Sequence, residues 1–189
     1  DELRALLRAC TPPKGASRSQ ALRDRRDEAI IRVMFETGAR AGEVVAIQRD
    51  DLDLAQGTAI IRRGKGGKGR VVPLSPAAVL AVDRYLRHRR EHRLADSPAL
   101  WLGDRGKAFS YDALHKTLAM RAEAAGIDGF HPHKLRHTAA HRWLSKGGSE
   151  SGLMAMAGWT RPDMLMRYTK AQASARAAEE SRRLDLGEL

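Results

Sequence analysis

The chain has 189 residues, enough to bury a sizeable core, and its hydrophobic content of 42% excludes global disorder. Its 34 lysines and arginines outnumber 23 acidic residues and give a formal net charge of +11, which favours a polyanionic partner, nucleic acid before an anionic membrane surface. Cys10 is the only cysteine, so an intrachain disulfide and a cysteine-rich zinc site are excluded.

The sequence shows no apolar run of membrane-spanning length and no basic start followed by an apolar segment. These features predict a cytoplasmic protein without a membrane partner. If the polyanionic partner is DNA, the protein is expected to associate with the nucleoid. The chain begins at Asp1 rather than at a methionine, which predicts a piece of a longer protein.

The first third of the chain is predicted to be helical. Leucines at positions 3, 6 and 7 give a short amphipathic helix that ends before Pro12. A second helix is expected over residues 19–37, capped by Ser19 and ended by Gly38. A short helix over residues 41–47 follows, with Glu43 in its first turn.

The middle of the chain changes to the apolar period of strands. Three short strands are predicted over residues 51–54, 58–63 and 70–74, joined by a turn at 55–57 and a glycine-rich turn at 64–69. Short strands joined by tight turns predict one small antiparallel sheet.

Helices return after the sheet. Ser75 and Pro76 open a long helix with a basic end over 87–93, and Ser110 is expected to cap a helix that runs to Ala125. Further helices are predicted over 132–146, 149–157, 161–168 and 172–183. The predicted fold class is mainly α with a small three-stranded antiparallel β-sheet (α+β), in a single domain over residues 1–189.

Basic residues along the chain suit phosphodiester cleavage without a metal. That reaction needs a nucleophile, positive charge at the non-bridging oxygens and a proton for the leaving oxygen. Arginine supplies the charge well because its guanidinium fork matches a phosphate. Arg40 follows Gly38 at a predicted helix start, where backbone N–H groups also favour an anion. Taken alone, an arginine in this position is more often a solvated surface residue.

The segment 131–137 carries a second basic cluster. His133 and Arg136 lie three residues apart on a predicted helix, so both can reach one phosphate. A rival interpretation is zinc binding, because His133, His137 and His141 recur every four residues. Cationic side chains at positions 134, 136 and 142, without a nearby acid or cysteine, disfavour a dication, and we predict no metal site.

The remaining features are weak alone. The glycine-rich turn with Lys65 and Lys68 lacks the Gly-Lys-Ser/Thr ending of a phosphate-binding loop, and a hairpin with an exposed lysine at its tip fits better. Such a hairpin is usually just a flexible basic loop. Trp159 and Tyr168 follow apolar segments, and their plainer interpretation is as core aromatics.

Taken together, these segments resemble the catalytic domain of the tyrosine recombinases, the phage integrase family, over roughly residues 1–180. The matching strings are T-G-x-R-x-x-E from Thr37, G-K-G-x-K-x-R-x-V-P-L from Gly64, H-x-L-R-H from His133, the pair Gly158-Trp159, and Tyr168. Each string is weak singly, but their order and intervals are specific. His131 departs from the family, which often has Thr or Ser before this proline, and residues 149–156 are less typical than their flanks.

The resemblance implies a catalytic set, consisting of Arg40, Lys65, His133, Arg136, Trp159 and the nucleophile Tyr168. Glu43 and His137 are implied to support it, and Lys68 is a second choice for Lys65. The implied reaction is attack of the tyrosine hydroxyl on the scissile phosphate, which leaves a 3′-phosphotyrosyl link and a free 5′-hydroxyl. No cofactor, metal or ATP is implied, so EDTA should not inhibit.

The implied partner is double-stranded DNA, bound in the complete enzyme by a homo-tetramer on paired sites, with a monomer as the alternative for this fragment. Contacts to DNA phosphates are predicted for Arg62, Arg63, Lys68, Arg70 and the basic run 87–93; for that run, surface solubility is the alternative. The tail over 170–189 either packs on a neighbouring protomer or is a frayed terminus. The separate N-terminal core-binding domain of the family is expected to be absent from this chain.

Two other functions stay open. A type IB topoisomerase shares the chemistry but acts alone, and it would relax a supercoiled plasmid without strand exchange. A non-catalytic DNA-binding module would bind without forming a covalent adduct, and it leaves the combination of motifs unexplained.

Overall fold

A computed structural model describes residues 2–62, 69–103, 107–169 and 173–185 of the chain. The chain divides into two units, Asp1–Ala139 and Ala140–Leu189. The predicted fold class, mainly α with a small three-stranded antiparallel sheet, is confirmed.

The first unit begins with three helices: α1 (Glu2–Arg8), α2 (Arg18–Thr37) and α3 (Ala41–Val45). Ser17 caps α2, since its Oγ accepts a hydrogen bond from the Gln20 N–H at 3.2 Å. The predicted cap, Ser19, is therefore wrong by two residues; it lies inside the first turn instead. Gly38 ends α2 as predicted, in the left-handed region (φ 63°, ψ 18°), and its N–H donates to the Met34 carbonyl at 2.9 Å.

The sheet consists of β1 (Leu52–Asp53), β2 (Thr58–Ile61) and β3 (Arg70–Pro73), paired antiparallel in that order after a short 3₁₀ turn at Arg49–Asp51. The register pairs Ala59 with both Leu52 and Val72. Ala59, Ile61 and Val72 are buried while their neighbours along each strand are more exposed, which is the alternation expected of a sheet with one covered face. The three predicted strands are confirmed with shorter limits.

Two further helices of the first unit follow the sheet: α4 (Pro76–Arg89) and α5 (Tyr111–Ala124). Each begins as predicted at a serine cap. The Ser75 Oγ accepts from the Ala78 N–H at 3.2 Å, and the Ser110 Oγ accepts from the Ala113 N–H at 3.1 Å. The most extensive helix pairing of this unit is that of α2 with α4.

The segment between α4 and α5 contributes to the core. Leu100, Trp101 and Leu102 are buried. The Tyr85 hydroxyl donates to the Leu100 carbonyl at 3.0 Å and accepts from the Leu102 N–H at 2.9 Å. Burial raises the pKa of Tyr85 to about 12. Satisfied polar groups allow this irregular backbone to lie in the interior.

Arg89 also holds this loop. Its guanidinium is buried and donates to loop carbonyls at 2.6 to 2.9 Å, those of Ala95, Ser97, Ala99 and Leu100. The prediction that the whole basic run 87–93 contacts phosphates is therefore wrong for Arg89, because its donors are already used inside the protein.

A second internal arginine ties three helices together. From α5, the Arg121 guanidinium donates to the Asp27 carboxylate at 2.6 and 2.9 Å, to Asp24, and to the Ala9 carbonyl at 2.8 Å. Cys10 lies beside this network, and burial raises the pKa of its thiol to about 12. The charges are paired, so their burial between α1, α2 and α5 is tolerated.

The second unit is helical. Helix α6 (Pro132–Ser145) begins in the first unit and ends in the second, followed by α7 (Glu150–Ala157), α8 (Pro162–Thr169) and α9 (Ala173–Leu184). Gly158 ends α7 in the left-handed region at φ 66°. The core of this unit is a cluster of buried side chains: Ala140, Leu144, Leu153, Ala157, Trp159, Leu165 and Tyr168. None of the described helices is long and apolar enough to cross a membrane.

Candidate active site

The turn after α2 sets the position of Arg40. The Thr37 hydroxyl donates to the Val33 carbonyl at 2.7 Å and accepts from the Ala39 N–H at 3.2 Å. Gly38 between them takes the left-handed conformation, which residues with a Cβ adopt rarely. The T-G-x-R string therefore describes a helix end that carries Arg40 to the start of α3.

Arg136 reaches the same turn from α6, 98 residues away in sequence from Gly38. Its side chain is buried, and Nη1 donates a hydrogen bond to the Gly38 carbonyl. The carbonyl that accepts this bond lies two residues before Arg40. The structure thus brings together the two arginines that the sequence predicted as a pair.

Glu43 holds Arg40 in place. Its carboxylate accepts from the Arg40 N–H at 2.9 Å and from the Arg40 Nη1 at 3.3 Å. Arg70 of β3 adds a bidentate pair, with Nη1–Oε1 at 3.2 Å and Nη2–Oε2 at 2.9 Å. Burial acts to raise the pKa of Glu43, but the hydrogen bonds and positive charges of Arg70 and Arg40 outweigh it and lower this pKa below its usual value. The carboxylate is therefore charged at neutral pH.

A cavity of about 220 Å³ opens beside these groups, entirely within the first unit. The polar side chains that line it are those of Arg40, Glu43, Tyr111, His115, His133 and Arg136. Two guanidinium groups and two imidazoles around one small cavity suit an anion, since Glu43 is already paired with two arginines. The sequence predicted Arg40, His133 and Arg136 for this site but passed over Tyr111 and His115.

Tyr111 and His115 lie at the start of α5, and their rings pack at 4.4 Å between centroids. Their spacing places them on one face of the helix, which the sequence alone could have indicated. Nothing in the sequence links that face to Arg40, because the contact depends on the packing of α5 against α3.

The histidines of α6 differ in environment. His133 is exposed at the rim of the cavity, with the His131 ring edge-on at 6.3 Å. His137 is exposed and does not line the cavity. Within the described ranges, no group of three or more His, Cys, Asp or Glu side chains is placed to hold a metal ion, so the zinc interpretation gains no support.

The second unit contains the predicted nucleophile. The Tyr168 ring stacks on Trp159, with 5.2 Å between centroids and 16° between planes, and both side chains are buried. The exposed His141 approaches Tyr168 edge-on at 5.4 Å. Trp159 and Tyr168, which the sequence predicted as two members of one site, are thus neighbours. His141 also contacts Tyr168, although the sequence suggested it only as a zinc ligand.

Several predicted residues lie outside the described ranges, namely Lys65, Lys68 and Arg63. Arg62 is described, and its exposed guanidinium binds the buried carboxylate of Asp51 at 2.6 and 2.7 Å. The hydrogen bond and charge of Asp51 raise the pKa of Arg62. Arg62 and Arg70 each have an internal carboxylate partner, and their contact with DNA remains a prediction. Of the predicted tail, residues 170–172 and 186–189 lie outside the described part.

Comparison with known proteins places this arrangement in a family. Residues 1–175 match the sequence model of the phage integrase family. The tyrosine recombinase XerD of Mycobacterium leprae is 33% identical over 93% of this chain and 56% of its own length, and XerD of Mycobacterium tuberculosis is 34% identical over 89% and 54%. The crystal structure of XerA recombinase is similar with a TM-score of 0.76 and 27% identity, over 97% of this chain and 63% of its own.

The chain spans little more than half the length of these XerD relatives. The family match, in contrast, covers nearly all of the chain and includes the segments that carry Arg40, His133, Arg136, Trp159 and Tyr168. On that evidence, the chain belongs to the phage integrase family.

Proposed function

We propose that this chain is the catalytic domain of a site-specific DNA recombinase that cuts and rejoins double-stranded DNA through a 3′-phosphotyrosyl intermediate. The observation that carries the proposal is the bond from Arg136 to the Gly38 carbonyl, because it brings a second guanidinium to the turn that carries Arg40. The relatives named tyrosine recombinases and the net charge of +11 support DNA as the partner.

In the proposed reaction the Tyr168 oxygen bonds to the scissile phosphorus while the bond from phosphorus to the 5′ oxygen breaks. Arg40 and Arg136 stabilise the charge on the non-bridging oxygens of the transition state. His133 assists proton transfer, Lys65 protonates the departing 5′ oxygen, and the indole N–H of Trp159 binds the phosphate. The phosphotyrosyl bond conserves the energy of the broken one, so rejoining by the 5′-hydroxyl needs neither ATP nor a metal.

The burial of Tyr168 adds a requirement to this mechanism. The Tyr168 side chain is buried in the core of the second unit, stacked on Trp159 and with the His141 ring edge-on, so we infer that it must become more accessible to DNA before it can attack. Such a step is a conformational change that precedes chemistry. We propose that the tyrosine is released from this position when the domain binds duplex DNA, and that in the complete enzyme this binding is by a homo-tetramer on paired sites.

A covalent-trapping experiment with DNA of random sequence tests the proposal. The protein is incubated with nicked duplexes whose sequence is randomised around the nick, so that the cleaved fragment diffuses away and the adduct persists. Adducts that survive denaturing gel electrophoresis are recovered, their DNA is sequenced, and the attached peptide is identified by mass spectrometry. We expect an adduct on Tyr168, unchanged by EDTA.

Tyr168→Phe and Tyr111→Phe form the matched pair of variants. The first should yield no adduct, whereas the second, which removes the hydroxyl of a tyrosine that lines the cavity, should still yield one on Tyr168. An adduct retained by Tyr168→Phe would remove the nucleophile assignment. DNA binding without any adduct would favour the non-catalytic module, and relaxation of supercoiled plasmid without strand exchange would favour a topoisomerase.

A further inference from the structure

His115 belongs to the cavity but not to any motif of the sequence. It lies one turn into α5, with its ring packed on Tyr111 at 4.4 Å and 45° between planes. Both side chains line the cavity together with Arg40, His133 and Arg136. Its plainer role is to fill space beside Tyr111.

One atom of His115 is not explained by packing. Its Nε2 is buried, and among the residues that the structure describes it has no hydrogen-bond partner. Buried polar atoms without a partner are uncommon because they lose their bonds to water and gain nothing in return. A neutral packing role would be served equally well by phenylalanine, which has no such atom.

The charged neighbours indicate which chemical group would suit this nitrogen. Arg40 and Arg136 are donors, and Glu43, the acidic side chain at the cavity, already accepts from Arg70 and Arg40. An imidazole with a proton on Nε2 is a donor as well. A group that satisfies these donors together must be an acceptor with several oxygens and negative charge, which describes a phosphate.

We propose that His115 Nε2 donates a hydrogen bond to a non-bridging oxygen of a phosphate bound in this cavity, as a further binding residue beside Arg40, His133 and Arg136. That this phosphate is the scissile phosphate of DNA rests on the function proposed above. The anion site itself is a property of the cavity and can be tested without DNA.

Inorganic phosphate is the probe. The protein is labelled with ¹⁵N-histidine, and the ring resonances are followed while phosphate replaces chloride at constant ionic strength and pH. The His115 signal is assigned by its loss in His115→Phe, which preserves an aromatic ring against Tyr111. We expect a saturable shift of the His115 Nε2 resonance, with the rings of His88 and His92, which do not line the cavity, as unchanged internal references.

The variants separate binding from packing. His115→Phe should raise the phosphate Kd about tenfold, the loss expected for one charge-assisted hydrogen bond. His115→Gln, which restores a side-chain donor, should recover part of that loss, and Lys116→Ala, the exposed neighbour on α5, should leave Kd unchanged. Thermal melting of each variant shows whether it is folded, and the wild-type resonance shift tests the site even if a variant is not.

Two results would overturn the inference: a His115 resonance that does not move with phosphate, or a His115→Phe protein that is folded and binds phosphate with wild-type affinity. The trapping experiment reports separately on the proposed function. Adduct formation without a phosphate response at His115 refutes this inference alone, whereas a phosphate response without an adduct on any duplex refutes the recombinase chemistry and leaves the anion site standing.

Discussion

Replacing Arg70 by methionine should lower the free energy of unfolding by about 2 to 3 kcal/mol, because it removes a bidentate partner from a mostly buried carboxylate. The side chains of Arg70 and Glu43 are 14% and 12% exposed, and two hydrogen bonds join them. Loss of one member of a fully buried pair costs about 3 to 5 kcal/mol. Arg40 still contacts Glu43 in the variant, so the expected loss lies below that range.

The assay is urea and thermal unfolding at pH 7, together with a double-mutant cycle that includes Glu43→Gln. For a chain of this length the expected loss corresponds to a decrease in Tm of about 4 to 12 °C. The coupling energy between positions 43 and 70 should be about 2 kcal/mol. Arg87→Met is the matched control, since Arg87 also makes two hydrogen bonds, to Asp83, but both side chains are exposed, and its loss should be below about 1 kcal/mol.

The pH dependence provides an independent check. The pKa of Glu43 is lowered in the folded protein, so the pair contributes fully above the carboxyl's ordinary pKa and its contribution disappears as pH falls through the lowered folded value. The difference between wild type and Arg70→Met should therefore shrink in acid. A coupling energy below about 0.5 kcal/mol at pH 7, or one that persists after Glu43 is protonated, would refute the reasoning.

Two predictions concern the interior of the first unit. Arg121→Met should lower the free energy of unfolding by about 3 kcal/mol, because Asp24 and Asp27 lose a shared buried counter-charge. Urea unfolding measures this loss, and the additional change Asp24→Asn should recover part of it. A loss under about 0.5 kcal/mol would contradict the prediction. Cys10 should resist iodoacetamide at pH 8 in the native protein, since burial raises the pKa of its thiol to about 12, and it should react once urea unfolds the chain. Mass spectrometry measures the label on Cys10. Rapid labelling of the native protein would contradict the buried position.

Local signals in the sequence were sufficient for most of the secondary structure. The ends at Gly38, Ser75 and Ser110 were predicted correctly because a glycine stop and a serine cap act within three or four residues of themselves. The wrong cap at the start of α2, Ser19 in place of Ser17, also comes from reasoning on local signals alone. Ser17 and Ser19 are equally suited to cap the helix, and no residue nearby distinguishes them.

The binding partners of several arginine side chains could not be predicted from local sequence signals. The sequence suggested phosphate contacts for Arg62 and Arg70, and either phosphate contacts or surface solubility for the run 87–93 that contains Arg89. The structure gives them Asp51, Glu43 and the carbonyls of a buried loop, at sequence separations of 11, 27 and 6 to 11. These partners are set by the packing of segments that are separate in sequence, and that packing has no local signature.

The candidate site combines both kinds of information. Arg40, His133 and Arg136 were predicted by family resemblance, and the physical reason for their proximity became visible only in the turn at Gly38. Left-handed geometry there ends α2 and leaves the Gly38 carbonyl available to a guanidinium from α6. The glycine in T-G-x-R thus acts on both arginines: a sequence that kept Arg40 and Arg136 but replaced Gly38 would retain both charges and lose the backbone geometry that holds them at one cavity.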